Sequence, residues 1–301
     1  MLLPLSAAAS TPADLGPGIL LPWQFSPIVF GCVALALGVY VNGLRVRVVA
    51  GRRCGIARPF MFILGVLLIY GVLQTRFDYW AQHMFYFHRL QHLVLLHLGP
   101  FLVALSVPGR VLRDGLPHRL REHGADALLD STGFASLRRF LLSPWRLPLL
   151  FIAGIAVWLE PTVHYYAMLS WQLYDFMNLS VVATGLLFWA LVLDPEPAPP
   201  ARIGYGQRIL VLVAVIFPQI VIGAILSLSR HDLYNVYGIC GRLYPLSPVT
   251  DQQIGGLLIW GPGSMMSVIG MLVVLSHING RRRAARFYAP RTHSKLVESS
   301  S

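Results

Sequence analysis

Seven apolar stretches, each long enough to cross a bilayer as a helix, constrain this chain more than any other feature of its sequence. A membrane-spanning helix needs about 20 consecutive, mostly apolar residues. The predicted spans are 25–43, 59–75, 84–107, 147–163, 173–193, 209–228 and 253–276. Only 12% of the residues are charged, against about 25% in soluble domains. The sequence therefore predicts an all-α fold, a polytopic membrane helix bundle of seven transmembrane helices.

The basic residues are concentrated in alternate loops between these spans. Of the 24 lysines and arginines, 20 lie in the segments 44–58, 108–146, 194–208 and 279–301. Basic residues accumulate in the cytoplasmic loops of membrane proteins, so these four segments are predicted to face the cytoplasm. The N-terminus is then outside and the C-terminus inside. The net charge of +11 reflects this topology, and we expect no nucleic-acid partner.

The same pattern predicts one membrane domain with a short extension at each end. Residues 1–24 are predicted to be an extracytoplasmic segment, residues 25–278 the seven-helix domain, and residues 279–301 a basic cytoplasmic tail. The sequence shows no phosphate-binding loop and no nucleophile paired with a base. We therefore expect no enzymatic activity.

Histidine, rather than cysteine, is the candidate metal ligand. The three cysteines contain no CxxC pair and support neither a disulfide framework nor a cysteine metal site. His88 and His92 are four residues apart, so in a helix they share one face and can hold one metal ion. His97, five residues further on, is predicted to lie about 140° around the helix and outside that site. Interfacial hydrogen bonding is the alternative role for the pair.

Other polar residues cluster at the predicted outer ends of the spans. They include His83, His164, Asp175, Asn178, Asp251 and Gln252. Met84, Met168 and Met177 are also predicted to be outer, and a thioether with imidazole suits Cu(I). Arg89, beside the pair, is expected to need a carboxylate partner, because a charge inside a membrane is costly. The candidate partners are Asp78, Glu160, Asp175 and Asp251.

The last span carries glycines that predict close helix packing. Gly255, Gly256 and Gly263 lack side chains, and small residues let the backbones of membrane helices approach each other. Pro262 is expected to be able to kink the same helix. Packing explains the glycines, but not the polar residues Asp251 and Gln252 that precede them.

Two longer stretches resemble one known family. They are His88-Arg89-Leu90-Gln91-His92 followed by Leu98-Gly99-Pro100 and Pro108, and Asp251-Gln252-Gln253-Ile254-Gly255-Gly256-Leu257 followed by Trp260 and Pro262-Gly263. Leu187-Phe188-Trp189, Asp194-Pro195 and Tyr205-Gly206-Gln207-Arg208 fit as well. The resemblance is to the seven-helix, CtaG-type cytochrome c oxidase assembly proteins. It extends from about Asp78 to Ser276.

The resemblance implies a protein of the bacterial inner membrane that handles copper for the copper centre of a haem–copper oxidase. His88 and His92 match the family's histidines and are implied as ligands, and Asp251 is implied as a third functional group. Two positions depart from the family pattern. Arg89 stands where the family commonly has methionine, and Tyr174, Asp175 and Asn178 stand where it often has histidine with glutamate.

The leading hypothesis is a copper-handling assembly factor. In it, His88 and His92 bind Cu(I), and His83 or His164 completes the site. Asp251 contacts a ligand rather than the ion, and there it orients a histidine or balances charge. Further candidates for contacts of this kind are Asp175, Asn178, Gln252 and Arg89. The expected partners are oxidase subunits in the membrane and the lipid bilayer itself. A copper or proton-coupled transporter and a haem-binding electron carrier are the alternatives.

Overall fold

In the computed structural model, which describes residues 25–52, 55–121, 124, 131–141 and 143–288, the chain folds into helices joined by loops. The helices are α1 Pro27–Val49, α2 Ala57–Gln74, α3 Arg76–His83, α4 Phe85–Leu105, α5 Gly109–Gly115, α6 His118–Leu120, α7 Thr132–Leu141, α8 Arg146–Leu159, α9 Pro161–Leu169, α10 Trp171–Val192, α11 Tyr205–Leu228, α12 Val236–Cys240 and α13 Pro248–Tyr288. Residues 94–98 of α4 form one π-helical turn.

Five of these helices are long and apolar enough to cross a membrane: α1, α2, α10, α11 and α13. Two bent pairs reach the same criteria together and raise the number to seven. They are α4 with α5, bent by 74°, and α8 with α9, bent by 73°. Each of the seven coincides with one predicted stretch, so the prediction of an all-helical membrane bundle is confirmed. The predicted side of each end of the chain stays a prediction.

The ends of the domain differ from their predicted boundaries. The last helix is 41 residues long and continues to Tyr288, so the predicted tail at 279–301 begins inside α13. Its arginines 281–283 and 286 are exposed on the final turns of that helix. The predicted segment 1–24 and residues 289–301 lie outside the described residues. Cys32 and Cys240 are unpaired thiols, and Cys54 also lies outside the described residues.

Helix α4 is the centre of the bundle. It packs against α2, α3, α10 and α13, while α11 lies along α13. The main apolar core forms around its middle and includes Leu95, Phe151, Phe188, Trp189 and Leu212. These five side chains are fully buried. The histidines of α4 are therefore carried on the most enclosed helix of the described bundle.

Two glycines of α13 allow the neighbouring helices to approach closely, as predicted. A Cβ added at Gly256 would lie only 2.7 Å from the backbone nitrogen of Ser227 on α11. A Cβ at Gly255 would overlap the ring of Phe85 and lie 3.1 Å from Cγ of Arg89 on α4. Side chains here would separate α13 from both helices. The glycines therefore place the start of α13 directly against the part of α4 that carries His88.

Candidate metal centre

Three buried histidines meet inside the bundle. His88 and His92 come from α4, and His164 comes from α9. His88 and His164 are fully buried, and His92 is 9% exposed. The ring centroids of His88 and His164 are 5.1 Å apart. These three side chains, with Tyr237 of α12, are called the histidine cluster below.

The pair on α4 has the geometry that its spacing predicts. One helical turn separates His88 from His92, and their ring centroids are 4.5 Å apart. The two Nε2 atoms face each other at 3.0 Å. Metal–imidazole bonds are about 2.0 Å long. For an ion bound to both nitrogens, the N–metal–N angle would therefore be roughly a right angle. Such an angle leaves room for one or two further ligands.

A break between α8 and α9 brings His164 to the pair. Glu160 is extended, and Pro161 occupies the first turn of α9, where its missing N–H costs nothing. The Glu160 carboxylate accepts a hydrogen bond from the Val163 nitrogen at 2.6 Å and so caps the new helix. The resulting bend of 73° turns His164 into the bundle. A continuous helix would have carried it past the cluster.

Tyr237 connects His164 with His88. Its hydroxyl lies 2.9 Å from Nε2 of His164 and 3.1 Å from Nδ1 of His88. On the other side of the His164 ring, Nδ1 lies 3.0 Å from the backbone oxygen of Trp158. Tyr237 thus bridges two histidines that are far apart in the sequence.

The carbonyl of Trp158 fixes the direction of the whole hydrogen-bond chain if all rings are neutral. A carbonyl only accepts, so His164 carries its proton on Nδ1 and leaves Nε2 to accept from the Tyr237 hydroxyl. The tyrosine oxygen then accepts from Nδ1 of His88. We therefore assign the ring proton of His88 to Nδ1 and that of His92 to Nε2, which donates to Nε2 of His88. The single lone pair on Nε2 of His88 accepts this bond and is therefore in use in the resting chain.

A second polar group supports the cluster from α10 and α3. Asn178 is buried beside His92 and Tyr174. The Tyr174 hydroxyl donates to the Asp78 carboxylate at 2.7 Å, and Gln91 donates to the same oxygen at 2.8 Å. Tyr174 and Asn178, two of the departures from the family pattern, therefore occupy buried positions beside the histidines.

Asp251 caps the start of α4, the helix that carries His88 and His92. Its two carboxylate oxygens accept the backbone N–H groups of Phe85 and Tyr86 at 3.0 and 2.8 Å. These are among the first N–H groups of α4, which have no partner inside the helix. Arg242 donates to the same carboxylate at 2.5 Å. With three donors on a fully buried carboxylate, Asp251 is a positioning residue for α4 rather than a ligand in this geometry.

The remaining predicted residues lie apart from the cluster. Gln252 accepts a hydrogen bond from the Leu233 nitrogen and so holds the loop after α11. Nδ1 of His83 bonds the backbone oxygen of Tyr79 in its own helix. Asp175 is exposed on α10. Of the two histidines expected to complete the site, the structure brings His164 to the pair and leaves His83 outside.

The expectation that Arg89 pairs with a carboxylate is wrong. Arg89 is 4% exposed, yet it forms no ion pair with an acidic side chain in the described part of the chain. The acidic candidates have other partners, such as Arg242 for Asp251 and Gln91 for Asp78. The guanidinium instead lies 5.0 Å from the ring centroid of Phe85. Its charge also acts on His88, His92 and His164.

His97 is not a member of the histidine cluster, but the helix between it and His92 is not an ideal α-helix. The π-helical turn at residues 94–98 adds a residue to one turn, which reduces the rotation between positions five apart. His92 and His97 consequently line the same cavity. π-Helical turns are frequent at functional sites, and nothing in the local sequence indicates this one.

Tyr237 and Trp158 are the contributors that the sequence did not reveal. Tyr237 lies on a helix of five residues between two long spans, where no periodicity points to it. Trp158 contributes only its backbone oxygen. Among the described residues no group of three His, Cys, Asp or Glu side chains is already arranged around a metal position. The Nε2 of His164, held by Tyr237, would have to turn toward the pair.

Comparison with known proteins gives one match. No significant match is found among curated proteins or among solved structures. The family model described as cytochrome c oxidase caa3 assembly factor (Caa3_CtaG) matches residues 38–279. The match covers all the helices that contribute to the histidine cluster. The chain therefore belongs to the Caa3_CtaG family of cytochrome c oxidase assembly factors.

Proposed function

We propose that the chain binds Cu(I) at the histidine cluster and delivers it to the copper centre of a haem–copper oxidase. The proposal makes the family's general role in oxidase assembly specific to one ion and one site. Copper is the cargo here, not a resident cofactor, and no reaction is catalysed. His88, His92 and His164 supply the nitrogens, and Asp251 keeps α4 in place.

The observation that carries the proposal is the 3.0 Å separation of the two Nε2 atoms of His88 and His92. Two neutral imidazole nitrogens that face each other in a buried site are suited to a borderline or soft cation such as Cu(I). A third imidazole, that of His164, has its ring centroid 5.1 Å from that of His88. The thioether of Met168 lies 4.0 Å from the Tyr237 hydroxyl and offers a soft donor beside the same group.

Loading would require one proton to move and two hydrogen bonds to break, the one between His88 and His92 and the one between Tyr237 and His164. His92 shifts its ring proton from Nε2 to Nδ1, so that both Nε2 lone pairs face the ion. Oδ1 of Asn178 has no hydrogen-bond partner within the described residues, and after rotation of the amide it can accept a hydrogen bond from that Nδ1–H group. Tyr237 releases Nε2 of His164 as a further ligand. The number of protons on the cluster stays the same, and removal of the ion restores the resting chain.

The predicted topology supports delivery from the outer side of the bacterial inner membrane. With the basic loops in the cytoplasm, the histidine cluster lies near the outer ends of α4 and α9. Copper would enter from the periplasm and leave by exchange of ligands with an oxidase subunit docked beside these helices.

The proposal is tested by the copper content of the oxidase. Cells that lack this chain are expected to yield oxidase with a low ratio of copper to haem, and the wild-type chain should restore it. A His88→Ala/His92→Ala variant should fail to restore the ratio, whereas the control His277→Ala, distant along α13, should succeed. Full restoration by the double variant at equal membrane levels would refute copper delivery by this cluster.

Tyr237→Phe is expected to weaken Cu(I) binding by about tenfold. The hydroxyl accepts from Nδ1 of His88 and so keeps the lone pair on the Nε2 that would bind copper. Losing a group that hydrogen-bonds a metal ligand in this way typically lowers the metal affinity 10–100-fold. Tyr234→Phe is the matched control, because its hydroxyl donates to the Leu159 carbonyl instead. Competition against a coloured Cu(I) chelator measures both affinities. Equal affinities for the two variants would contradict the assigned bridge.

A further inference from the structure

A cavity of about 270 Å³ adjoins the histidine cluster. Its walls come from α4, α8, α10, α11 and α13, and most of them are apolar. Arg89, His92 and His97 of α4 and Gln219 of α11 are polar residues in its lining. A largely apolar cavity with a few converging polar groups is the usual form of a small-molecule site.

Arg89 lines this cavity beside the ring of Phe85, and its charge has no acidic partner among the described residues. Its Nε and Nη2 atoms are buried and have no hydrogen-bond partner within the described residues. A buried charge without a partner is strongly unfavourable. The N–H groups on these two nitrogens point along one edge of the guanidinium, the edge that binds a carboxylate through two parallel hydrogen bonds. The free groups therefore match a planar anion better than a neutral ligand.

The cavity is accessible from the lipid-facing surface of the bundle. Leu150 and Val157 of α8 line it, yet they are 44% and 50% exposed. In a membrane-spanning bundle, exposed leucine and valine on a helix face the hydrocarbon of the bilayer. A ligand that enters here comes from the lipid phase and must carry an apolar chain.

We propose that the cavity binds a long-chain carboxylate, whose head group is held by Nε and Nη2 of Arg89 and whose chain lies along the apolar wall of α8. The site does not depend on the copper proposal, since none of its contacts needs the ion. A carboxylate here would also offset the charge that Arg89 places beside the histidines.

The test uses the purified full-length chain in a non-ionic detergent with 9,10-dibromostearate as the probe. Bromine quenches tryptophan fluorescence at short range, and Trp158 lines the cavity. We expect saturable quenching that palmitate reverses and that methyl palmitate, which has no charge, reverses only at about tenfold higher concentration. Acetate, which has the head group without the chain, should not compete.

Two variants test the contact with the head group and the space for the chain separately. Arg89→Gln should weaken palmitate binding by about tenfold through loss of the charge-assisted hydrogen bonds. Gly154→Phe should do the same by filling the cavity, because Gly154 lines it and has nothing within 4 Å of an added Cβ. Arg281→Gln and Gly71→Phe are the matched controls. Arg281 is exposed, Gly71 has similar free space on α2, and both controls should bind as the wild type does.

Four results would overturn the proposal. One is quenching that never saturates, and another is equal competition by palmitate and its methyl ester. The third is unchanged affinity in a folded Arg89→Gln or Gly154→Phe variant. Competition by phosphatidylglycerol without any by palmitate would assign the site to a phospholipid and also reject the carboxylate. Since no copper is present in these measurements, a failure here leaves the copper proposal separately testable.

Discussion

Replacing His88 and His92 together by alanine is expected to weaken Cu(I) binding by about 100-fold or more, since even loss of an outer partner of a metal ligand costs 10–100-fold. The variant removes both nitrogens of the 3.0 Å pair and leaves His164 as the single imidazole of the cluster. Competition against a chromophoric Cu(I) chelator, with the protein in detergent, gives the affinity directly.

The control for this experiment is a second pair of histidines from the same predicted side. His83 bonds within its own helix, and His231 is exposed, so His83→Ala/His231→Ala should bind copper as the wild type does. This control also decides between His83 and His164 as the completing ligand. Equal loss of affinity in both double variants would mean that copper binds to outer histidines in general, not to the buried cluster. Circular dichroism of each variant confirms that the helices are intact.

Asp251→Ala is expected to lower the free energy of unfolding by about 3–5 kcal/mol, the range for removing one partner of a buried ion pair. The substitution leaves Arg242 without its carboxylate and the N–H groups of Phe85 and Tyr86 without an acceptor. Denaturant unfolding in mixed micelles measures the change. Asp175→Ala on α10 is the control, since that side chain is exposed and such changes stay within about 0.5 kcal/mol.

A second substitution of Asp251 distinguishes a structural role of this residue from a role as a copper ligand. Asp251→Asn keeps an acceptor oxygen for α4 but loses the charge opposite Arg242. If Asp251 positions the helix, the asparagine variant should lose part of the stability and bind copper with nearly normal affinity once folded. If Asp251 were a ligand, copper affinity would fall sharply with little change in stability, which would contradict the role assigned here.

The fold could be predicted from the sequence because each span carries its own signal. Apolar length is a local property, and so is the spacing of His88 and His92 along one helix. Long-range features were less accessible. The position of His164 depends on a bend at Pro161, which the sequence indicates only as a proline near the end of a span. The role of Asp251 depends on the contact between the start of α13 and the start of α4, which are far apart in the chain.

The errors have physical causes of the same kind. Arg89 was expected to find a carboxylate because a buried charge normally does, but the bundle leaves it facing a cavity. His97 lies outside the histidine cluster, but its angle around the helix was derived from ideal α-helical geometry, which a single π-helical turn changes. Tyr237 lies on a helix too short to show any periodicity. For Arg89 and Tyr237 the deciding contact is tertiary, and no local pattern in the sequence records it.

X-ray absorption at the copper edge of the Cu(I)-loaded, full-length chain tests the central claim most directly. The claim predicts a first shell of two or three imidazole nitrogens at about 2.0 Å, with the scattering pattern of imidazole rings. This signal should disappear in the His88→Ala/His92→Ala variant and persist in His83→Ala/His231→Ala. A first shell made only of sulfur, or an imidazole spectrum unchanged by loss of His88 and His92, would contradict copper binding at the histidine cluster.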